Sequence, residues 1–398
     1  MEGAMRATKK VLTVLSVCLL AATVLLVGCK KEEKAEEEAK TIKAGFIYVG
    51  PVGDYGWSHA HDVGRKYAED QLDWLETVYV ESVPEGDASR IIDRLVVEEN
   101  CDVVFTTSFG YMDDTIAAGE KHPDQLFMHC SGFKNSANVG TYFAELYQMY
   151  YLNGLMAGAL TKSKKIGYVG AFPTPEVVRH IDAYALGVKA ANPDARVHVR
   201  WIFSWYDPAK AREAAEALVA DGIDCLAFTE DSPAVIEVGQ EHVDKGEMVY
   251  SFSHYSPMEA FGPDSVVSGQ LVDWGIMYEK ILNDIYNGTW SNEDLWWLAK
   301  EKAALLGGSP DHEVNPKFVD DLKAVSLDTP DLGTLSAYDL VMKRYEQMKQ
   351  GRDTFDPFVG PISDNKGGVR IPAGAMGTKG ELLSIDYYVD NVVGDVPK

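Results

Sequence analysis

The run Ala44-Gly-Phe-Ile-Tyr-Val49 is followed by Gly50-Pro-Val-Gly-Asp-Tyr-Gly-Trp-Ser-His59 and then by a polar-apolar run through Arg65 and Tyr67. The first six residues are short, apolar and rich in aromatic and β-branched types, the composition of a buried strand. Gly50, Pro51, Gly53 and Gly56 break regular structure and predict a tight loop. A helix is expected to start near Ser58. In an open α/β sheet, ligands bind just outside the carboxyl ends of the strands, so this loop, with Asp54 and Trp57, is a candidate site. The same residues would also suit a surface turn whose Trp packs on the next helix.

Outward from this stretch, strand-like and helix-like segments alternate. Thr77–Val80, Asp102–Thr107, Gln125–His129 and Val139–Tyr142 read as strands, and Asp87–Glu99 and Met112–Lys121 as helices. Glu145–Leu160 is apolar nearly all round and predicts a buried helix. At Lys165-Ile-Gly-Tyr-Val-Gly170 the pattern restarts in a form similar to Lys43–Gly50. Strands at Val197–Phe203, Cys225–Thr229, Met248–Phe252 and Ser265–Val272 then alternate with helices. Strands separated by helices imply parallel sheets, here in two successive α/β halves. Two such sheets with their carboxyl ends facing each other enclose a cleft. After Gly288 the periodicity is poorer, with helical patterns at Glu313–Val325 and Leu335–Lys349.

The chain has 398 residues, room for two domains, and a formal charge of −24. It carries no basic stripe, which excludes nucleic acid as a partner. Arg6, Lys9 and Lys10 precede an apolar segment from Val11 to Val27 and then Gly28-Cys29, as in a lipoprotein signal peptide spanning residues 1–28. Cys29 would carry the lipid, and residues 29–41 form a charged tether. An uncleaved span is the alternative, although 17 residues is at the short limit. Cys101, Cys130 and Cys225 match no metal spacing and read as buried thiols, with one disulfide among them as the alternative.

Enzyme signatures are absent: no Gly-x-Ser-x-Gly elbow, no P-loop and no Gly-x-Gly-x-x-Gly after the first strand. His59 and His61, two apart, would not share a helix face, so no metal or other cofactor is expected. The strand ends carry flat aromatics instead: Trp57, Phe109, Tyr111, Trp205, Tyr206, Tyr255 and Trp274. Asp54, Asp207, Asp231 and Asp273 lie among them. Aromatics can cover the faces of a flat ligand, and carboxylates can accept from its N–H groups. The combination suits a purine or another small heteroaromatic better than a phosphate. Each aromatic taken singly would equally suit core packing.

Several segments together resemble the basic membrane protein (BMP) family of bacterial lipoproteins. They are Tyr48–Trp57 with His61-Asp-x-Gly-Arg65, Phe105–Met112, Phe172–Val178, Trp205–Pro208, Thr229–Pro233, Val272–Gly275, Gly288-Thr-Trp290 and Gly360-Pro-Ile362. The resemblance implies a type I periplasmic-binding-protein fold, two doubly wound parallel-sheet lobes with a ligand cleft between them. It places residues 42–143 and 274–300 in the N-terminal lobe and 144–273 in the C-terminal lobe, with 301–398 as a tail packed on the lobes. It implies no enzyme but a monomeric, lipid-anchored substrate-binding component of an ABC importer, on the outer side of the cell membrane, with permease and ATPase partners. Trp57 and Trp205 would stack on the ligand, Asp231 and Asp273 would read its polar edge, and Phe109, Tyr111, His254 and Trp274 would form walls, with Asp54 beside them. The nucleoside-binding members typically carry Asp-Asp-x-Ser-Phe-Asn where this chain has Gly53-Asp54-Tyr55-Gly56-Trp57-Ser58, and a Lys near Val272. Both departures favour a free purine base of the adenine or hypoxanthine type. A nucleoside-binding importer component and a ligand-sensing receptor of the same fold are the alternatives.

Overall fold

Ile42–Ile47 forms strand β1, buried on both faces apart from Lys43, which is half-buried. That double burial is why its sequence is almost continuously apolar rather than alternating. The computed structural model describes residues 40–398. The signal segment, most of the tether and Cys29 lie outside the described residues.

The first lobe continues with α1 (Trp57–Gln71), β2 (Leu75–Val80), α2 (Ala88–Val97), β3 (Val103–Thr106), α3 (Met112–Lys121), β4 (Leu126–Cys130) and β5 (Val139–Ala144). Helix α2 shows how the elements are held. Ala88, Ile91, Ile92 and Leu95 form its buried stripe, and full burial of one such Ile or Leu contributes about 1.5–3 kcal/mol. Helix α4 (Tyr147–Leu160) then carries the chain away from the first sheet and is buried on every face except at Ala159. The second lobe follows with β6 (Lys165–Gly170), α5 (Pro175–Ala191), β7 (Arg196–Trp201), α6 (Pro208–Ala220), β8 (Cys225–Thr229), α7 (Ala234–Asp244), β9 (Tyr250–Tyr255) and β10 (Val266–Val272).

The chain returns through α8 (Trp274–Asn287), which packs on α1, to β11 (Asp294–Trp297) at the edge of the first sheet. It crosses again to β12 (Ala304–Leu306), which lies antiparallel to β10. The strand orders are β2-β1-β3-β4-β5-β11 and β13-β7-β6-β8-β9-β10-β12, where β13 is Val392–Val393. All other pairings in the two sheets are parallel. Each sheet is therefore doubly wound, and its strand order reverses between β1 and β3 or between β6 and β8. Those two switch points are where a crevice opens outside the strand ends.

Beyond residue 300 the structure is richer than the sequence pattern suggests. Strands β12 and β13 extend the second sheet at both edges. The helices Pro316–Ala324 and Ala337–Gln350 pack on each other and on α4. A short helix, Lys379–Leu383, with a Thr378/Glu381 capping box, packs on α5. Residues 301–398 are thus in part strands of the second sheet, and not wholly a tail laid on the lobes. Two- and three-residue strands leave too short a pattern to read by alternation. Cys101, Cys130 and Cys225 are buried and unpaired, as their sequence context suggested.

Candidate functional site

The loop after β1 leads into α1, whose first backbone N–H groups have no helical partners. Asp54 supplies them. One carboxylate oxygen accepts from the amides of Gly56 (2.8 Å) and His59 (2.9 Å), the other from Ser58 (3.1 Å). Burial pushes its carboxyl up to about 6 despite these bonds. Asp207 does the same for α6, accepting from Lys210 N at 3.1 Å, and Asp273 for α8, accepting from Ile276 N at 3.3 Å. Burial also raises Asp273 above the ordinary carboxylate range. Three of the four aspartates singled out at strand ends therefore cap helices. Asp54 and Asp273, expected at the ligand, are not among the residues lining the cleft cavity.

That cavity, of about 280 Å³, opens at the paired switch points and is lined by Val49, Trp57, Ser108, Phe109, Ser131, Glu176, Trp205, Asp231 and Tyr255. The first lobe presents Trp57 from the start of α1 and Ser108-Phe109 from the end of β3. The second presents Trp205 after β7, Asp231 after β8 and Tyr255 at the end of β9. Trp57 is held rigidly. Its indole N–H donates to Thr107 O, and edge-to-face contacts to His61 (4.5 Å) and Trp274 (5.4 Å) support it from behind. Tyr255 meets it across the cleft at 5.0 Å, near-perpendicular. Trp205 is fixed by its carbonyl, which accepts from Asp231 N at 2.8 Å, and by the Phe172 ring at 5.1 Å.

Four expected wall residues thus separate into two groups. Phe109 lines the cavity, whereas Tyr111, His254 and Trp274 do not. Tyr111 lies in the first-lobe core with its hydroxyl on Val83 O. Trp274 is buried and stacked on His61 (4.3 Å), one layer behind Trp57. His254 is buried beneath Tyr255, its Nδ1 2.8 Å from Tyr150 Oη and 3.0 Å from Gln270 Nε2, and burial keeps its ring neutral by lowering its pKa. Trp274, two residues past β10, and Tyr111, five residues past β3, are drawn inward by the hydrophobic gain of full burial, and His254, one residue before the end of β9, is held inward by its hydrogen bonds.

Glu176, in the first turn of α5, is a cavity residue that strand-end reasoning passed over. Tyr255 donates to it at 3.2 Å, and burial raises its carboxyl to about 7, with Arg179 opposing. The internal likeness of Lys43–Gly50 and Lys165–Gly170 could have found it. Glu176 begins the helix after β6 as Trp57 begins the helix after β1. Asp231 is nearly fully buried and held well above the ordinary carboxylate range by burial and then by Asp54 and Glu230 nearby. No Lys, Arg or His lines the cavity, so nothing in its wall compensates a phosphate or a carboxylate ligand. Aromatic faces with two carboxyl groups suit a flat, neutral or cationic molecule bearing N–H groups. Among the described residues no group of three or more His, Cys, Asp or Glu could hold a metal ion, and no helix is long and apolar enough to cross a membrane.

The two lobes touch across this cleft. Ser256 Oγ donates to Gly56 O at 3.4 Å, and the ring of Tyr55 meets that of Phe261 at 4.9 Å. Tyr55, Ser131, Phe203 and Tyr255, all at strand-end loops, have positive φ of 61°, 60°, 52° and 62°. Non-glycine residues held in that region cluster at ligand clamps.

The fold is that of two-lobed solute-binding proteins. A solute-binding protein of an ABC transporter system from Aeropyrum pernix superposes with a TM-score of 0.66 over 81% of this chain and 93% of its own, at 15% identity. By sequence, a purine-binding protein of Brucella abortus is 36% identical over 92% of this chain and 95% of its own length. A Haloferax volcanii protein whose name assigns it, provisionally, to ABC-transporter glucose binding is 39% identical over 65% of each chain. The model of one family, the PnrA-like ABC transporter substrate-binding proteins (Bmp), matches residues 41–329. The chain belongs to that family, whose members are the solute-capturing components of membrane transporters and not enzymes.

Proposed function

We propose that this protein is the lipid-anchored component of an ABC importer that captures a purine base of the adenine or hypoxanthine type. The observation that carries the reading is the cavity wall: Trp57, Phe109, Trp205 and Tyr255 around Asp231 and Glu176, with no basic side chain. Stacking a base on one aromatic contributes about 1–3 kcal/mol. A carboxyl group that accepts from a ring or amino N–H adds orientation. The Brucella relative's name agrees with a purine. Attachment through Cys29 rests on the segment Leu26-Val-Gly-Cys29; palmitate labelling that survives Cys29→Ser would refute it.

One observation favours a second reading, a sugar, namely the name of the Haloferax relative. A sugar would use carboxylates and a single aromatic platform rather than four rings. Titration calorimetry with adenine, hypoxanthine, guanine, adenosine and glucose separates the readings. Adenine or hypoxanthine is expected to bind most tightly. Tighter adenosine binding would move the assignment to nucleosides, and binding of glucose alone would overturn the purine reading.

A further inference from the structure

Glu85 lies outside every motif discussed above. It follows β2 in a short 3-10 turn, Glu85–Asp87, on the first lobe. One of its carboxyl oxygens, Oε1, receives three donors. Ser108 Oγ donates at 2.6 Å and Gly110 N at 3.0 Å, both from the loop after β3. The third is the indole N–H of Trp205, at 3.3 Å, from the opposite lobe. Ser108 and Trp205 both line the cavity. Gly110 makes the arrangement possible, because a Cβ there would stand 2.2 Å from Glu85 Cδ.

We propose that Glu85 is the latch of the cleft, a positioning residue that ties the Trp205 ring to the first lobe when the lobes meet. Trp205 is otherwise held wholly by its own lobe, through Asp231 N and Phe172. Its indole therefore carries closure from one lobe to the other. The carboxyl needs no contact with the ligand, since it works by orienting the stacking ring and by holding Ser108 in the facing wall. Hydrogen bonds to a charged acceptor are strong enough for its loss to shift a closed-to-open ratio by roughly tenfold or more. This inference rests on the binding reading only for where the cleft lies, not for which ligand fills it.

Hydrogen–deuterium exchange by mass spectrometry on the full chain tests it, with and without adenine. Local opening speeds exchange in proportion to the open population. In Glu85→Ala, exchange is expected to rise about tenfold both at residues 108–111 and, in the other lobe, at residues 203–207 and 231. Glu85→Gln keeps an acceptor oxygen without the charge and should fall between the wild type and Glu85→Ala. A purely local loss of packing would speed residues 84–111 alone, and that result overturns the latch. Equal exchange at 203–207 in wild type and Glu85→Ala, or Glu85→Gln behaving like Glu85→Ala, overturns it too. If adenine leaves wild-type exchange unchanged while the Glu85→Ala effect spans both lobes, the latch stands and the purine reading fails.

Discussion

Replacing Gly56 by alanine should block closure while leaving the lobes folded. Gly56 precedes α1, and its backbone lies directly on Asp231 of the opposite lobe. A Cβ at position 56 would be 2.6 Å from Asp231 Cα and 2.9 Å from both its carbonyl carbon and its Cβ. The first two of these atoms are backbone and cannot rotate away. Bringing 2.6 Å out to the 3.4 Å of ordinary contact requires the lobes to part by about 0.8 Å. That movement would carry Ser256 Oγ, now 3.4 Å from Gly56 O, beyond hydrogen-bond reach. Overpacking of this kind costs roughly 1–3 kcal/mol. Charged to the closed state alone, it raises the dissociation constant about 5- to 150-fold. The assay is titration calorimetry with adenine beside Gly53→Ala, a control from the same loop with nothing within 4 Å of its Cβ. Gly53→Ala should bind as the wild type does, and the ligand-free melting temperature should be unchanged in both variants. Wild-type affinity in Gly56→Ala would refute the reasoning. So would a ligand-free destabilisation equal to the loss in binding, because the clash would then belong to the fold rather than to closure.

Three further outcomes are expected. Asp54→Ala should cost about 1–2 kcal/mol of stability in denaturant unfolding through loss of the α1 cap, and Asp54→Asn should recover part of it. The Glu176 carboxyl, raised from 4.5 to about 7, keeps its proton longer in the folded than in the unfolded chain. Its contribution is therefore complete below about pH 4.5 and is lost as pH rises toward 7, by at most roughly 3 kcal/mol. Asp54 acts with the same sign between 3.8 and about 6. The ligand-free melting temperature should fall over this range more steeply in the wild type than in Glu176→Gln, and identical slopes would contradict the assignment. Burial would raise Glu145, but Arg179 at 2.7 Å and His180 at 3.2 Å outweigh it and hold it near 2. Glu145→Ala leaves the Arg179 guanidinium buried without its carboxylate and should cost about 3–5 kcal/mol in the same unfolding assay.

The order of strands and helices was legible in the chain because burial on both faces gives an unbroken apolar strand, as at Val103–Thr106, and one buried stripe gives a helical period, as in Ala88–Val97. The restart at Lys165 made two lobes legible, and facing strand ends located the cleft. Sequence alone could not assign the side chains at those ends. Asp54, Asp207, Asp231 and Asp273 occupy equivalent positions, yet three are taken by backbone amides at helix starts, and Asp231 faces the cavity. Capping and ligand recognition ask the same thing of an aspartate, an acceptor just before a helix, so local sequence cannot separate them. The aromatics are ambiguous for a similar reason. Trp57 and Trp274 both follow a strand end, but only packing of α8 on α1 puts one ring in the wall and the other behind it. Glu85 was invisible because what matters about it is a partner 120 residues away, and Glu176, to which only the likeness of the two half-starts pointed, has its partner 79 residues away. The sequence by itself determined two α/β lobes, their cleft and a wall of rings and carboxyl groups. Which of those groups turn toward the cavity was decided by tertiary structure, because each helix start and each core competes for them first.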